Sequence, residues 1–290
     1  MISVPFIKMH GCGNDYIYFD CMSGEENNII ARNPNKFSIM LSDRHKSIGG
    51  DGVVLICPSA VADAKMRMFN ADGSEGKMCG NAIRCVGKYL YDNKYVKKSD
   101  ISIETLSGIK YLKMQIENGV AVAATVDMGK AYLKPAEIPV IYDGENMINA
   151  PVTVNGKNYN ITCVSMGNPH CIVFCGENED PETLELEKIG PYFENHAIFP
   201  DRVNTEFVKV INKNLLQMRV WERGSGETLA CGTGSCAVAV AAVLCGFCEK
   251  NTDITIRLRG GDLVINYTGE TVYMTGEAKV AFRGVADIED

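Results

Sequence analysis

Two cysteines in this chain, Cys79 and Cys231, each stand directly before a glycine and a run of small, helix-forming residues. The first copy runs Arg67-Met-Phe-Asn70-Ala-Asp-Gly-Ser-Glu-Gly-Lys-Met-Cys79-Gly80-Asn81. The second runs Arg219-Val-Trp-Glu222-Arg-Gly-Ser-Gly-Glu-Thr-Leu-Ala-Cys231-Gly232-Thr233. Both pass from a strand-like stretch through a Gly/Ser-rich turn into a helix with cysteine at its mouth. A thiol there meets unpaired backbone N–H groups and about half a positive charge, which stabilise thiolate and draw its pKa down from ~8.5. Two such thiols facing one another form an acid/base pair. With each sulfur ~3.5 Å from one carbon, two thiolates ~7 Å apart at an effective dielectric of ~20 repel by about 2 kcal/mol, so the pair shares one proton.

The duplication extends past the cysteines, which lie 152 residues apart. Gly13-Asn14 before Asp-Tyr-Ile-Tyr-Phe19 has a counterpart in Gly167-Asn168 before Pro-His-Cys-Ile-Val-Phe174. Asp51-Gly-Val-Val-Leu-Ile56 falls opposite Val203-Asn-Thr-Glu-Phe-Val208. Four landmarks recurring in one order mark a repeated architecture with two units. Residues 1–131 form the expected N-terminal half, completed by 276–290, and 132–275 form the C-terminal half. The switch falls where alternation stops near Gly129 and prolines appear.

The 290 residues suit roughly two domains, each able to bury a core. The chain is 46% hydrophobic and 22% charged with a net charge of −7, a globular composition that argues against nucleic acid as a partner. Within the charge-free run that holds the second cysteine, the apolar stretch Cys236 to Cys248 is thirteen residues, which fits a buried helix and is too short for a bilayer. The first residues lack a secretory pattern, so the expected location is the cytoplasm. Twelve cysteines in 290 residues are too few for a disulfide scaffold, and Cys57, Cys171, Cys175 and Cys245 lie in apolar runs as small hydrophobes.

Between the devices the chain reads as short strands and turns, among them Val53–Ile56, Lys65–Phe69, Ile101–Thr105, Ile109–Ile116 and Val120–Met128. The second half repeats the pattern with Ile161–Val164, Cys171–Phe174, Glu206–Ile211, Leu216–Trp221, Ile254–Leu258, Leu263–Tyr267 and Val272–Phe282. Helices are expected after Cys79 and after Cys231, the second apolar on nearly every side and therefore buried all round. The fold class is α+β: two pseudo-symmetric domains, each a mostly antiparallel sheet wrapped around a central helix whose N-terminus points to the cleft between domains.

Other chemistries find no support. Gly232-Thr-Gly-Ser-Cys-Ala237 is a loose nucleotide-loop match without a convincing preceding strand. No GxxxxGK[ST] or HExxH occurs, and the four histidines at 10, 45, 170 and 196 lack metal-ligand spacing. Cys245 and Cys248 close a helix and have no second pair. Neither metal nor cofactor is expected.

Phe6-Ile-Lys-Met-His-Gly-Cys-Gly-Asn-Asp15, Arg67 to Glu75, Met78-Cys-Gly-Asn-Ala-Ile-Arg84, Ser165-Met-Gly-Asn-Pro-His170, Arg202-Val-Asn204 and Glu222 to Gly234 together resemble the diaminopimelate epimerase family over nearly the whole chain. The resemblance implies a cofactor-independent two-base epimerase that interconverts LL- and meso-diaminopimelate in lysine and cell-wall precursor synthesis, folded as two pseudo-symmetric halves and assembled as a homodimer. It also implies that Asn14, Asn70, Asn168, Asn204, Glu222 and Arg223 line the pocket, and that His170 and Glu222 tune the cysteines.

The residues fit that chemistry. An amino-acid Cα–H is a very weak acid, so inversion needs a base on one face, an acid on the other and stabilisation of the carbanion. Cys79 and Cys231 supply the faces, and backbone N–H groups of Gly80, Asn81, Gly232 and Thr233 cradle the reacting carboxylate. Arg223 can fork onto a distal carboxylate and Glu222 can pair with an ammonium. Against the family's common pattern stand Ala82 for glycine, Thr233 for serine, and Gly52 where some members carry a glutamine that contacts substrate; Gly52 is therefore left out of the site. The rival readings are a proline- or hydroxyproline-type two-cysteine racemase, disfavoured by Asn81 where that group carries histidine, a phenazine-type isomerase, which typically lacks the cysteine pair, and an amino-acid binding protein without turnover.

Overall fold

The computed structural model describes residues 1–24, 28–176 and 178–289; Asp290, the last residue of the expected closing segment, lies outside them. The backbone divides into two compact units, Met1–Val126 with Thr275–Asp290, and Asp127–Met274.

In the first unit β1 (Ile2–Gly11) and β2 (Asn14–Asp20) form an antiparallel hairpin closed by Cys12 and Gly13. Both turn residues have positive φ, 54° and 77°, the conformation of a two-residue hairpin turn whose twist matches its strands. The chain then makes α1 (Ile29–Arg32) and α2 (Pro34–Ser42) before β3 (Gly52–Cys57), which lies parallel to β2. β4 (Ala64–Asn70) pairs antiparallel with β3 and with the short β5 (Glu75–Gly76). Helix α3 (Gly80–Asp92) leads to β6 (Asp100–Thr105), parallel to β4, and β7 (Gly108–Glu117) and β8 (Val120–Lys130) continue antiparallel.

The second unit repeats this order. β9 (Ala150–Val154), β10 (Lys157–Ser165) and β11 (Pro169–Phe174) pair antiparallel in turn. After α4 (Leu186–Glu194), β12 (Asn204–Asn212) lies parallel to β11 and antiparallel to β13 (Leu215–Glu222), which also pairs with β14 (Gly226–Thr228). Helix α5 (Gly232–Leu244) precedes β15 (Asp253–Leu258), parallel to β13, and β16 (Gly261–Tyr267). β17 (Thr271–Glu277) follows, and β18 (Lys279–Ile288) belongs to the first unit, where it pairs antiparallel with β1. Registers coincide: Tyr16 faces Gly52 as His170 faces Asn204, and Met68 faces Gly76 as Val220 faces Thr228.

Each sheet is mostly antiparallel with two parallel pairs, and each parallel pair requires a crossover that a helix fills. That rule accounts for two helices not anticipated from sequence, α2 and α4, which sit at equivalent points of the repeat. They cover the outer face of each sheet. Phe37 and Leu41 of α2 pack with Ile17, Phe19, Val53 and Leu55, while Leu186 and Phe193 of α4 pack with Cys171, Val173 and Phe207. The inner face receives the central helix. α3 touches β1 and β2 as well as β6 and β7, and α5 touches β10 and β11 as well as β15 and β16, so each sheet curls around its helix. With both faces covered, every residue of β3 is buried, and alternation gives way to a continuous apolar strand.

Gly190 and Pro191 lie inside α4. Both disfavour helix in isolation. Tertiary packing supplies the difference: the Trp221 indole lies so close that a Cβ at Gly190 would sit 2.3 Å from its ring. No helix among the described residues is long and apolar enough to cross a membrane.

Candidate active site

Cys79 and Cys231 are the N-cap residues of α3 and α5, in extended conformation (φ −134° and −123°). Each cap follows the strand–turn device because the short β5 or β14 folds back on its neighbour and delivers the chain to the helix mouth.

In the first unit the Cys79 thiol donates to Asn14 Oδ1 at 3.3 Å. Asn14 begins β2 just after the hairpin turn, and its amide donates to Asp51 Oδ2 at 2.7 Å. The Asn81 amide reaches the same Asn14 Oδ1 at 3.5 Å, and Asn81 Oδ1 accepts from the fully buried Arg84 guanidinium at 3.0 Å, which also bonds Gly80 O. Beneath them Arg44 bridges Asp15 and Asp51, and Lys8 pairs with Asp15 at 2.7 Å. Burial pushes the Asp15 carboxyl up, but the bonds to Arg44 and Lys8 outweigh it and hold the group below its usual range. Asn70 closes its own turn on Ser74 at 3.0 Å.

The second unit presents different groups at equivalent places. The Cys231 sulfur accepts the Gly234 N–H at 3.3 Å and lies 3.5 Å from Thr233 Oγ1. Asn168 Nδ2 donates to Thr233 Oγ1 at 3.2 Å, and Asn168 Oδ1 lies 3.2 Å from His170 Nε2. His170 Nδ1 is 2.7 Å from Glu206 Oε1, both side chains fully buried. Glu222 accepts from Thr228 Oγ1 and interacts electrostatically with Cys231. Asn204 spends its side chain on backbone, donating to Pro169 O and accepting from Arg223 N. One arm of the Arg223 guanidinium donates to Asp201 O. The turn carrying Glu222 and Arg223 is fixed by Glu194 at the end of α4, which accepts from Trp221 Nε1 at 2.7 Å and Gly224 N at 2.9 Å.

The electrostatics correct one expectation. A helix mouth alone should lower a thiol's pKa, and the Gly234 N–H does act that way at Cys231. Burial is the larger effect, however, and with the adjacent negative charges of Glu222 and Glu206 it pushes the Cys231 thiol well above its usual range. Burial likewise raises Glu222, against the lowering effect of Thr228. The first unit places no carboxylate at the corresponding points: Asn70 stands where Glu222 does, and Val54 where Glu206 does.

Gly52 has a structural reason to be glycine, since a Cβ there would fall 2.0 Å from Phe69 O. Glu206, Glu194, Arg84 and Asp51 were not among the residues marked by sequence. Asp51 heads a repeat landmark and Arg84 closes a family motif without a role being assigned to either, and Glu206 is a lone carboxylate within an apolar strand. Among the described residues no group of three or more His, Cys, Asp or Glu side chains is placed to hold a metal ion.

The model of a family described as "Diaminopimelate epimerase" matches residues 6–134 and 162–281. A diaminopimelate epimerase of Methanococcus maripaludis is 55% identical over 98% of this chain and 100% of its own length. One from Acetivibrio thermocellus is 52% identical over 98% and 99%. Among solved structures, a hydroxyproline epimerase from Agrobacterium vitis superposes with a TM-score of 0.70 over 99% of this chain and 93% of its own, at 14% identity, a likeness of fold.

Proposed function

The chain belongs to the diaminopimelate epimerase family, and from that premise we propose that it interconverts LL- and meso-diaminopimelate without a cofactor, using Cys79 and Cys231 as its two acid/base groups. The observation that carries the reading is the pair of cysteine-capped helices at equivalent positions of a duplicated fold.

Each thiol addresses one face of the reacting Cα. One, as thiolate, removes the proton, and the other, as thiol, delivers a proton to the opposite face. The negative charge that develops on the α-carboxylate is met by helix-terminal N–H groups of Gly80, Asn81, Gly232 and Thr233, a cradle that substitutes for a pyridoxal electron sink. Asn14 holds the Cys79 thiol by its hydrogen bond. Glu222, against Cys231, raises the basicity of that sulfur and supplies a charge for an ammonium group of the substrate. Arg223, with one arm on Asp201 O, directs the rest of its guanidinium to the distal carboxylate, while Asn70 and Asn204 fix the turns that carry these groups. Asn168 and His170 complete the Cys231 side. The same reading includes a homodimer in the cytoplasm.

Incubation of the purified protein with LL-diaminopimelate, followed by resolution of the stereoisomers, tests the reaction. In deuterated water, initial rates from either isomer should show deuterium entering product much faster than remaining substrate, because the donating thiol carries a solvent proton and the abstracting thiol holds the substrate's own. Cys79→Ala and Cys231→Ala should each abolish epimerisation. Equal labelling of substrate and product from the first turnovers would mean that one base serves both faces.

A further inference from the structure

Glu206 is a fully buried carboxylate on β12 with a single described partner, His170 Nδ1 at 2.7 Å; its other oxygen is buried with none. A half-satisfied buried carboxylate is unfavourable, and its retention calls for a reason. The fold does not provide one. Glu206 faces Ile172 across the parallel β11–β12 pair, and the same register of the first unit places Val54 opposite Tyr18. Valine satisfies strand, register and core there, so the carboxylate serves what it touches.

What it touches begins a chain that ends at sulfur. His170 Nε2 meets Asn168 Oδ1, Asn168 Nδ2 meets Thr233 Oγ1, and Thr233 Oγ1 lies beside Cys231 Sγ, with successive distances of 3.2, 3.2 and 3.5 Å. The bonding fixes directions. An amide oxygen can only accept, so Nε2 of His170 must carry hydrogen for this contact to form. The second ring nitrogen then shares one proton with Glu206, either as Nδ1–H donating to carboxylate or as nitrogen accepting from the carboxylic acid. Both arrangements keep hydrogen on Nε2, hold the Asn168 oxygen toward His170 and turn its NH2 group to the mouth of α5. The first unit needs no such device: Asn14, the counterpart of Asn168, receives the Cys79 thiol directly on its oxygen, and Tyr16 stands in place of His170.

We propose that Glu206 is a positioning residue of the epimerisation site, which by sharing a proton with Nδ1 holds the His170 ring with its Nε2–H on the Asn168 oxygen and so orients the Asn168 amide as a donor beside Cys231. This inference rests on the function proposed above and assigns that site a residue that touches neither thiol nor substrate.

The test compares wild type, Glu206→Gln and Glu206→Val as full-length proteins. Glutamine can turn its own NH2 toward Nδ1 and preserve hydrogen on Nε2; valine, already accommodated at the equivalent position, removes the partner. Nitrogen-15 labelling of the four histidines reads the tautomer. His170 should carry hydrogen at Nε2 in wild type and in Glu206→Gln. In steady-state assays Glu206→Val should lose about tenfold or more in kcat/KM, the scale seen when a group orienting a functional imidazole is removed, and Glu206→Gln should restore activity to within about threefold of wild type. Wild-type kcat/KM in Glu206→Val, an equal loss in both variants, or hydrogen on Nδ1 alone in wild type would each overturn the proposal. Should the valine variant fail to fold, the glutamine variant and the tautomer still decide. A wild type that does not epimerise diaminopimelate refutes the proposed function instead, and the tautomer remains readable.

Discussion

At the scale of single residues, the two thiols are equivalent in position and unlike in surroundings. Cys79 is half-buried and bonded to a neutral amide, whereas Cys231 is buried, with Glu222 and Glu206 raising the pKa of its thiol further. Iodoacetamide at neutral pH should therefore modify Cys79 before Cys231, and the Cys231 rate should climb steeply as the solution is made alkaline; peptide mass spectrometry after timed quenching would expose the opposite order. Glu222 gives a second test with a definite sign. Its carboxyl is raised by burial, so the stability it contributes is full below the unfolded carboxylate pKa and is lost as pH rises through the folded one. Glu222→Gln, which mimics the protonated form and can keep the Thr228 bond, should raise the thermal midpoint at pH 8 by about 2 °C, a gain common when a functional charge is removed. That advantage should vanish at acid pH, while epimerisation is lost throughout. The cysteines could be marked from sequence because each caps a helix in a repeated device, whereas the pocket asparagines and His170, which lies within β11, were marked by the family resemblance. Glu206 could not, since a carboxylate within a strand reads as an outward-facing position until register and both sheet faces are known.

At the scale of elements, sequence revealed the helices whose mouths carry chemistry and missed those that support them. α3 and α5 each open on a Cys-Gly pair and contain no proline, and α5 is a continuous run of small and apolar residues. α2 is only nine residues long, and α4 contains Gly190 and Pro191, against which local propensity speaks. Their cause is nonlocal: a parallel pair needs a crossover, and the outward face of each sheet must be covered. Gly190 is where this support meets the site, because the indole resting on it donates to Glu194, which also holds Gly224 in the turn after Glu222 and Arg223. Gly190→Ala should displace Trp221 and cost about 1–3 kcal/mol, as overpacking of a closed core does. It should also weaken catalysis beyond the fraction unfolded. Denaturant titration and kinetics on the same preparation measure both effects, and a fully active, undestabilised variant would show that the loop does not depend on this contact.

At the scale of the whole molecule, duplication made the fold class legible, but equal positions do not imply equal energies. The clearest case is the ion pair that braces each strand–turn device. Arg67 binds Glu75 and Arg219 binds Glu227 at corresponding places. The Arg67 and Glu75 side chains are 22% and 28% exposed, where solvent screens the pair. Such contacts contribute about 0–1 kcal/mol. Glu227 is 20% exposed, but Arg219 is only 5% exposed, and its third nitrogen donates to the carbonyls of Pro181 and Leu184. Removing one member of a buried pair costs about 3–5 kcal/mol, because the remaining groups stay desolvated and unpaired. Arg259 also reaches Glu227, at 2.9 Å, and would keep part of its charge compensated, which favours the lower end of that range. Arg219→Met should therefore destabilise the chain by about 3 kcal/mol and Arg67→Met by about 1 kcal/mol or less, read as shifts in urea midpoint at one pH. Raising the salt concentration should shrink the Arg67 effect and leave the Arg219 effect largely intact, since screening acts on exposed charges. Equal costs for the two variants, or a salt-sensitive loss at Arg219, would show that burial does not separate the two copies.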